Sequence, residues 1–127
     1  MRKILVALAF VLGLSAPAIG KEWPARIAGV GIVCDEAEDA LNLYLAMKQS
    51  PNALQAKYNE VVSLINDLGE PKCFFQPFLG TFNNEVRGGD VVPGPNKSYR
   101  GYVINITTPN GRTYNVVVLD KMQTSDS

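Results

Sequence analysis

Histidine is absent from all 127 residues. Its absence removes Ser-His-Asp and Cys-His catalysis and the usual zinc sites, because each depends on an imidazole as base or ligand. Basic clusters are missing as well. After the first three residues, Lys and Arg are scattered singly along the chain, so there is no field of the kind nucleic acid or anionic lipid needs. Cysteine is limited to two residues, Cys34 and Cys73. Their wide spacing is unlike the Cys-x-x-Cys of a redox site. No apolar run reaches the ~20 residues of a membrane-spanning helix.

What is present begins with a leader. Arg2 and Lys3 precede the apolar run from Ile4 to Leu14, followed by small residues at Ala16, Ala18 and Gly20. This is the n-region, h-region and cleavage pattern of a secretory signal peptide. Residues 1–20 are therefore expected to be removed, leaving a single domain over 21–120 and a flexible polar tail over 121–127. Losing Arg2 and Lys3 leaves ten basic residues against twelve acidic ones. An exported chain with two cysteines is expected to join them in one intramolecular disulfide, because the compartments it enters are oxidising. Closing a loop of about 40 residues stabilises by about 4 kcal/mol on chain-entropy reasoning.

Between the cysteines the pattern is helical. Asp35 is placed as an N-cap, with Glu36, Glu38 and Asp39 where a helix dipole favours negative charge. Ala37, Ala40, Leu41, Tyr44 and Leu45 mark an apolar stripe, and the helix is expected to end at Met47 or Lys48. The four acids are read as solvated helix-end charge, not as a cation site. Ser50 and Pro51 then form a cap and first-turn pair that opens a second helix over residues 51–67. Its stripe is Leu54, Tyr58, Val61, Val62, Ile65 and Leu68, and Gly69 stops it. Lys48 beside Ser50 does not make a catalytic dyad, since Ser50 is used as a cap.

The flanks read as strands. Residues 26–33 are apolar and β-branched, with Gly29 and Gly31 falling on one face and leaving room for a close approach. Residues 73–82 carry Phe74, Phe75, Phe78 and Phe82, expected as core beneath the helices, with an aromatic binding groove as the alternative. Turns are expected at Asn83-Asn84 and at Gly88-Gly89-Asp90, with a short strand between them. Residues 99–108 and 112–119 form a hairpin around Asn110-Gly111. Tyr102, Ile104 and Ile106 lie on one face of its first strand, and Val116 to Leu119 are apolar on both faces. The predicted fold class is α+β: a helical hairpin packed on a small antiparallel sheet, with an SH3-like barrel as the analogy for the tail.

For function, the most loop-like stretch is residues 88–98, and such loops carry binding residues more often than scaffolds do. Asp90, Pro93, Asn96 and Tyr99 are the candidate binding residues. Asp90 and Asn96 are too few for a calcium loop, and neither metal nor cofactor is expected. The Asn96 and Asn105 glycosylation patterns are read as chance matches. The expected role is a non-catalytic domain, periplasmic or secreted, that docks a protein of the cell envelope or inhibits a foreign hydrolase. It would bind no nucleic acid and keep no stable membrane insertion after cleavage. Two alternatives stand: a small envelope hydrolase using carboxylates such as Glu85 and Asp90, and a cell-wall glycan binder using Phe and Tyr faces.

Gly31-Ile32-Val33-Cys34-Asp35, the two-helix run, Gly69-Glu70-Pro71-Lys72-Cys73 and the apolar Val116-Val117-Val118 strand together resemble a family of small signal-peptide-bearing proteins common among alphaproteobacteria. The resemblance spans most of the chain after the leader. It implies export and a Cys34–Cys73 bridge, and brings no catalytic residues with it.

Overall fold

A computed structural model describes residues 22–94 and 99–121. The expected leader, Asn96 and the tail beyond Lys121 lie outside the described residues. The elements run β1 (Arg26–Cys34), α1 (Ala37–Gln49), α2 (Pro51–Val62), β2 (Cys73–Val91), β3 (Tyr99–Thr107) and β4 (Thr113–Lys121). The fold is α+β, with one disulfide between Cys34 and Cys73.

Every strand pairing is antiparallel, and β1-β2-β3-β4 close into a ring. Closure with four strands depends on β2. Its 19 residues pair first with β1, from Cys73 opposite Cys34 to Thr81 opposite Arg26. From Thr81 onward the same strand pairs with β3, ending with Val91 opposite Arg100. Three register shifts, at Phe82/Asn84, Glu85/Arg87 and Gly88/Asp90, bend the second half. Each is a bulge of the kind that adds local twist and lets a strand turn a barrel corner. The expected breaks at Asn83-Asn84 and Gly88-Gly89-Asp90 are thus corrected: the chain bends there without leaving the sheet.

Alternation along β3 and β4 serves two cores. Tyr102, Ile104, Ile106, Val116 and Val118 face the barrel interior with Ile27 and Val33. Val103 and Val117, opposite one another across the ladder, face outward and pack beneath Leu43, Tyr44 and Met47 of α1. Val116 to Val118 are buried on both faces as expected, whereas Leu119 is exposed.

The helices deviate from expectation at their ends. The N-cap position of α1 is Glu36, with no side-chain cap; Asp35 instead accepts a hydrogen bond from Asn66 Nδ2 at 2.6 Å. Ser50 does cap α2, accepting from the Ala53 amide at 3.0 Å, with Pro51 in the first turn. That helix ends at Val62, not near residue 67, and a bridge between Ile65 and Pro71 replaces its last turn. Ile65 and Leu68 are consequently exposed, at 55% and 66%, where a continued helix would have buried them.

The four phenylalanines also need correction. Phe78 and Phe82 pack against the barrel interior and not beneath the helices. Phe74 and Phe75 are exposed, at 46% and 57%. As neighbours in a strand these two point to opposite faces, and both lie where neither core reaches.

Gly31 is required by closure. A Cβ there would sit 2.5 Å from the Val117 carbonyl oxygen and 3.0 Å from Val118 Cγ1, next to the short β1–β4 pairing. At Gly29, opposite Phe78, the bare backbone lets the phenyl ring lie across β1, with a Cβ position 3.2 Å from its ring edge.

Gly31→Val is expected to destabilise by about 3 kcal/mol through overpacking against backbone that cannot move aside, read as a fall in the denaturant midpoint. Replacing both Cys34 and Cys73 with Ala should cost about 2–4 kcal/mol with the far-UV circular dichroism retained. A loss under about 0.5 kcal/mol would show that the bridge contributes nothing to the fold.

Candidate interaction surfaces

The residues singled out in the sequence divide among several roles. Asp90 lies opposite Gly101 on β2 and meets α1. The Tyr44 hydroxyl donates to Asp90 Oδ2 at 2.5 Å, the Asp90 amide donates to the Tyr44 oxygen at 3.3 Å, and Lys48 Nζ stands 3.6 Å from the same carboxylate. The Arg87 guanidinium lies 5.6 Å from the Tyr44 ring centroid. The hydrogen bond from Tyr44, aided by Lys48, holds the Asp90 carboxyl below its ordinary range. Burial, reinforced by Asp90, pushes the Tyr44 hydroxyl up to about 12. Asp90 therefore fastens the end of β2 to the helix. Pro93 and Tyr99 are half-buried at the base of the β2–β3 connection, where the Val92 amide donates to the Tyr99 carbonyl at 3.0 Å.

Glu85 and Asp90 do not share a site. Glu85 lies opposite Ile104 of the barrel interior and accepts from Trp23 Nε1 at 2.9 Å. Asp90 faces the helix on the other side of the sheet. Trp23 closes this end of the barrel, stacked on Phe82 at 5.5 Å and edge-on to Tyr102 at 5.2 Å.

A second surface lies outside the barrel where the helices stop. Residues directly opposite in an antiparallel pair share a face. Ala28 opposite Leu79 and Val30 opposite Pro77 continue the outward face of Ile32 and Phe75. Val30 and Leu79 are 54% and 47% exposed. Beside them the barrel is split: β1 pairs with β4 only from Ile32 to Cys34, so residues 26–31 have β2 on one edge and, among the described residues, no paired strand on the other. Among the described residues, 118 and 119 of β4 likewise have a strand partner only on the β3 side. A cleft of about 250 Å³ separates the two edges, lined by Ala28, Val30, Val118 and Leu119, with Trp23 and Pro24 at its end.

A third surface is the barrel end opposite Trp23. Phe74 is paired with Val33, and Tyr114 with Ile106, so both rings are on the inward face yet lie at the open rim. Between them is a cleft of about 330 Å³ that also takes in Asp35, Glu70 and Gln76. Arg112 joins its two acids, at 3.8 Å from Asp35 Oδ1 and 3.5 Å from Glu70 Oε1, and lies 5.0 Å from the Tyr114 ring centroid. Burial pushes the Tyr114 hydroxyl above its ordinary value. Of these rim residues the sequence offers Phe74, through the aromatic-groove alternative, and Tyr faces in general; Asp35 reads there as helix-end charge, and Glu70, Gln76 and Arg112 carry no binding signal. The rim residues come from four separate segments, and the only local signal was the inward parity of Phe74 and Tyr114.

The Tyr44–Asp90 contact has a pH signature at both ends. Because the folded pKa of Tyr44 is raised, its contribution is complete below about pH 10 and is lost as pH climbs towards 12. Because that of Asp90 is lowered, its contribution is complete above about pH 4 and is lost as pH falls through the folded value. Tyr44→Phe should cost about 1 kcal/mol at neutral pH. The gap between wild-type and variant denaturation midpoints should narrow at about pH 3 and again at about pH 11.5; a gap constant across that range would discount the contact. Compared with models of protein families, with curated proteins and with solved structures, the chain matches none.

Proposed function

We propose that this chain is an exported, non-catalytic binding domain, periplasmic or secreted, that docks another protein by accepting one of its extended segments at the split between β1 and β4. The observation that carries the reading is the pair of strand edges, residues 26–31 and 118–119, that have no partner strand among the described residues, beside the exposed apolar side chains of Val30, Leu79 and Leu119. A row of unpaired amide and carbonyl groups is a template for another strand. An added strand draws affinity from main-chain hydrogen bonds and specificity from alternate side chains. Apolar side chains grouped on one exposed face are what such contacts bury. Export is supported by the leader pattern in the sequence, and the disulfide is compatible with an oxidising compartment outside the cytoplasm.

The occupant is committed by chemistry: an extended, mainly apolar segment of a partner protein, with an envelope protein the first candidate. The test is recovery of partners from a native envelope extract with the tagged chain, followed by amide hydrogen exchange of the isolated complex. Slowed exchange across residues 26–31 is expected, together with loss of the partner in Val30→Lys. That variant changes an exposed side chain and should alter stability by less than about 0.5 kcal/mol. Protection confined to residues 88–99, or a second copy of the chain as the sole occupant, would overturn the reading.

A further inference from the structure

The geometry points to a saccharide-binding site at the open end of the barrel, in the cleft between Phe74 and Tyr114. One end of the barrel interior is closed by Trp23 against Phe82 and Tyr102. The other opens onto about 330 Å³, near the lower end of the range for small-ligand pockets, which recur in barrel mouths. Its apolar and aromatic lining residues are Val33, Pro71, Phe74 and Tyr114, and the polar groups around it are the Asp35 and Glu70 carboxylates and the Gln76 amide. A sugar ring presents an apolar C–H face and a belt of hydroxyls. Aromatic rings accommodate the first, and carboxylate, amide and guanidinium groups pair with the second, charged partners giving the stronger hydrogen bonds.

The rim is held in place before any ligand arrives. Asn66 donates to Asp35 at 2.6 Å, while its side-chain oxygen accepts from the amides of Leu68 and Glu70 at 2.9 and 3.0 Å. Its own amide donates to the Glu70 carbonyl at 2.8 Å. The turn carrying Glu70 is thereby fastened to the residue before α1, and Arg112 spans both acids. A rim fixed in this way loses little freedom on binding. Arg112 also offsets part of the acidic charge, which favours a hydroxyl-rich neutral ligand over a simple cation. Phe74 is 46% exposed although its neighbours Cys73 and Val33 are buried, as expected of a platform left for a ligand. This site stands apart from the strand-docking edge, since the cleft lining the β1–β4 split shares no residue with it.

The test is titration of the isotope-labelled protein, purified after expression of the full chain, with chitotriose, cellotriose and maltotriose, followed by amide and Gln side-chain resonances. At least one trisaccharide is expected to shift Gln76, Glu70 and Tyr114 with saturation at millimolar concentration, leaving residues 26–30 unmoved. Phe74→Ala should weaken that binding about three- to tenfold, the worth of one aromatic contact. Gln76→Ala should weaken it to a smaller degree. Both side chains are exposed, so an unchanged circular dichroism spectrum and thermal midpoint separate lost binding from lost fold. Silence of the cleft resonances to all three sugars at about 10 mM would overturn the proposal, since that is below about 3 kcal/mol of binding. So would equal affinity in Phe74→Ala, or displacement of the sugar by tetramethylammonium at lower concentration, which would mark a cation site.

Discussion

The structure depends on one strand being used twice. Thr81 of β2 is opposite Arg26 on one side and Thr107 on the other, and every closure of the ring passes through that crossing. A four-stranded sheet has two free edges unless it curls, and curling needs residues that leave the regular ladder. Here the three bulges of β2 supply the curvature. The same bend brings Glu85 to Trp23 and Asp90 to α1, so that carboxylates close in sequence serve separate tasks.

Closure is incomplete, and its incompleteness shapes the surface. The β1–β4 seam holds over Ile32, Val33 and Cys34, near the disulfide and the helices, and opens away from them. Where α1 covers the outer face, Val103 and Val117 are buried. Beyond its reach Val30 and Leu79 are exposed. The helical hairpin is thus a cover for one half of the barrel wall. The bare half carries the unmatched edges.

Much of the architecture was legible because it is encoded locally. Ser50-Pro51 marks a helix start through its own hydroxyl and ring, and the inward run of Tyr102, Ile104 and Ile106 repeats with the pleat. The cysteine pairing follows from there being only two. What was not legible depends on partners distant in sequence. Asp35 has the residue type of a cap, yet Asn66 and Arg112 compete for its carboxylate and win. Residues 63–68 continue the helical period, but the Ile65–Pro71 bridge draws the chain back towards β2. Glycine and asparagine at 83–84 and 88–89 have turn composition, and in a strand with bulges the same residues bend without reversing. The site residues were the least legible, because Phe74, Gln76, Tyr114, Asp35 and Glu70 meet only when the barrel rim is assembled.

Cys34 and Cys73 occupy the same rung of the β1–β2 ladder, so the 38 residues between them leave the sheet and return to the place they left. Once oxidised, the unfolded chain has those two strands tethered at their shared end, and their pairing becomes as local as that of a tight hairpin. The conformational search for the β1–β2 pairing is then shortened before folding begins. The helices can be regarded as a large ornament on a short turn, and the order of events, thiol oxidation first or collapse first, governs how quickly the ring can form.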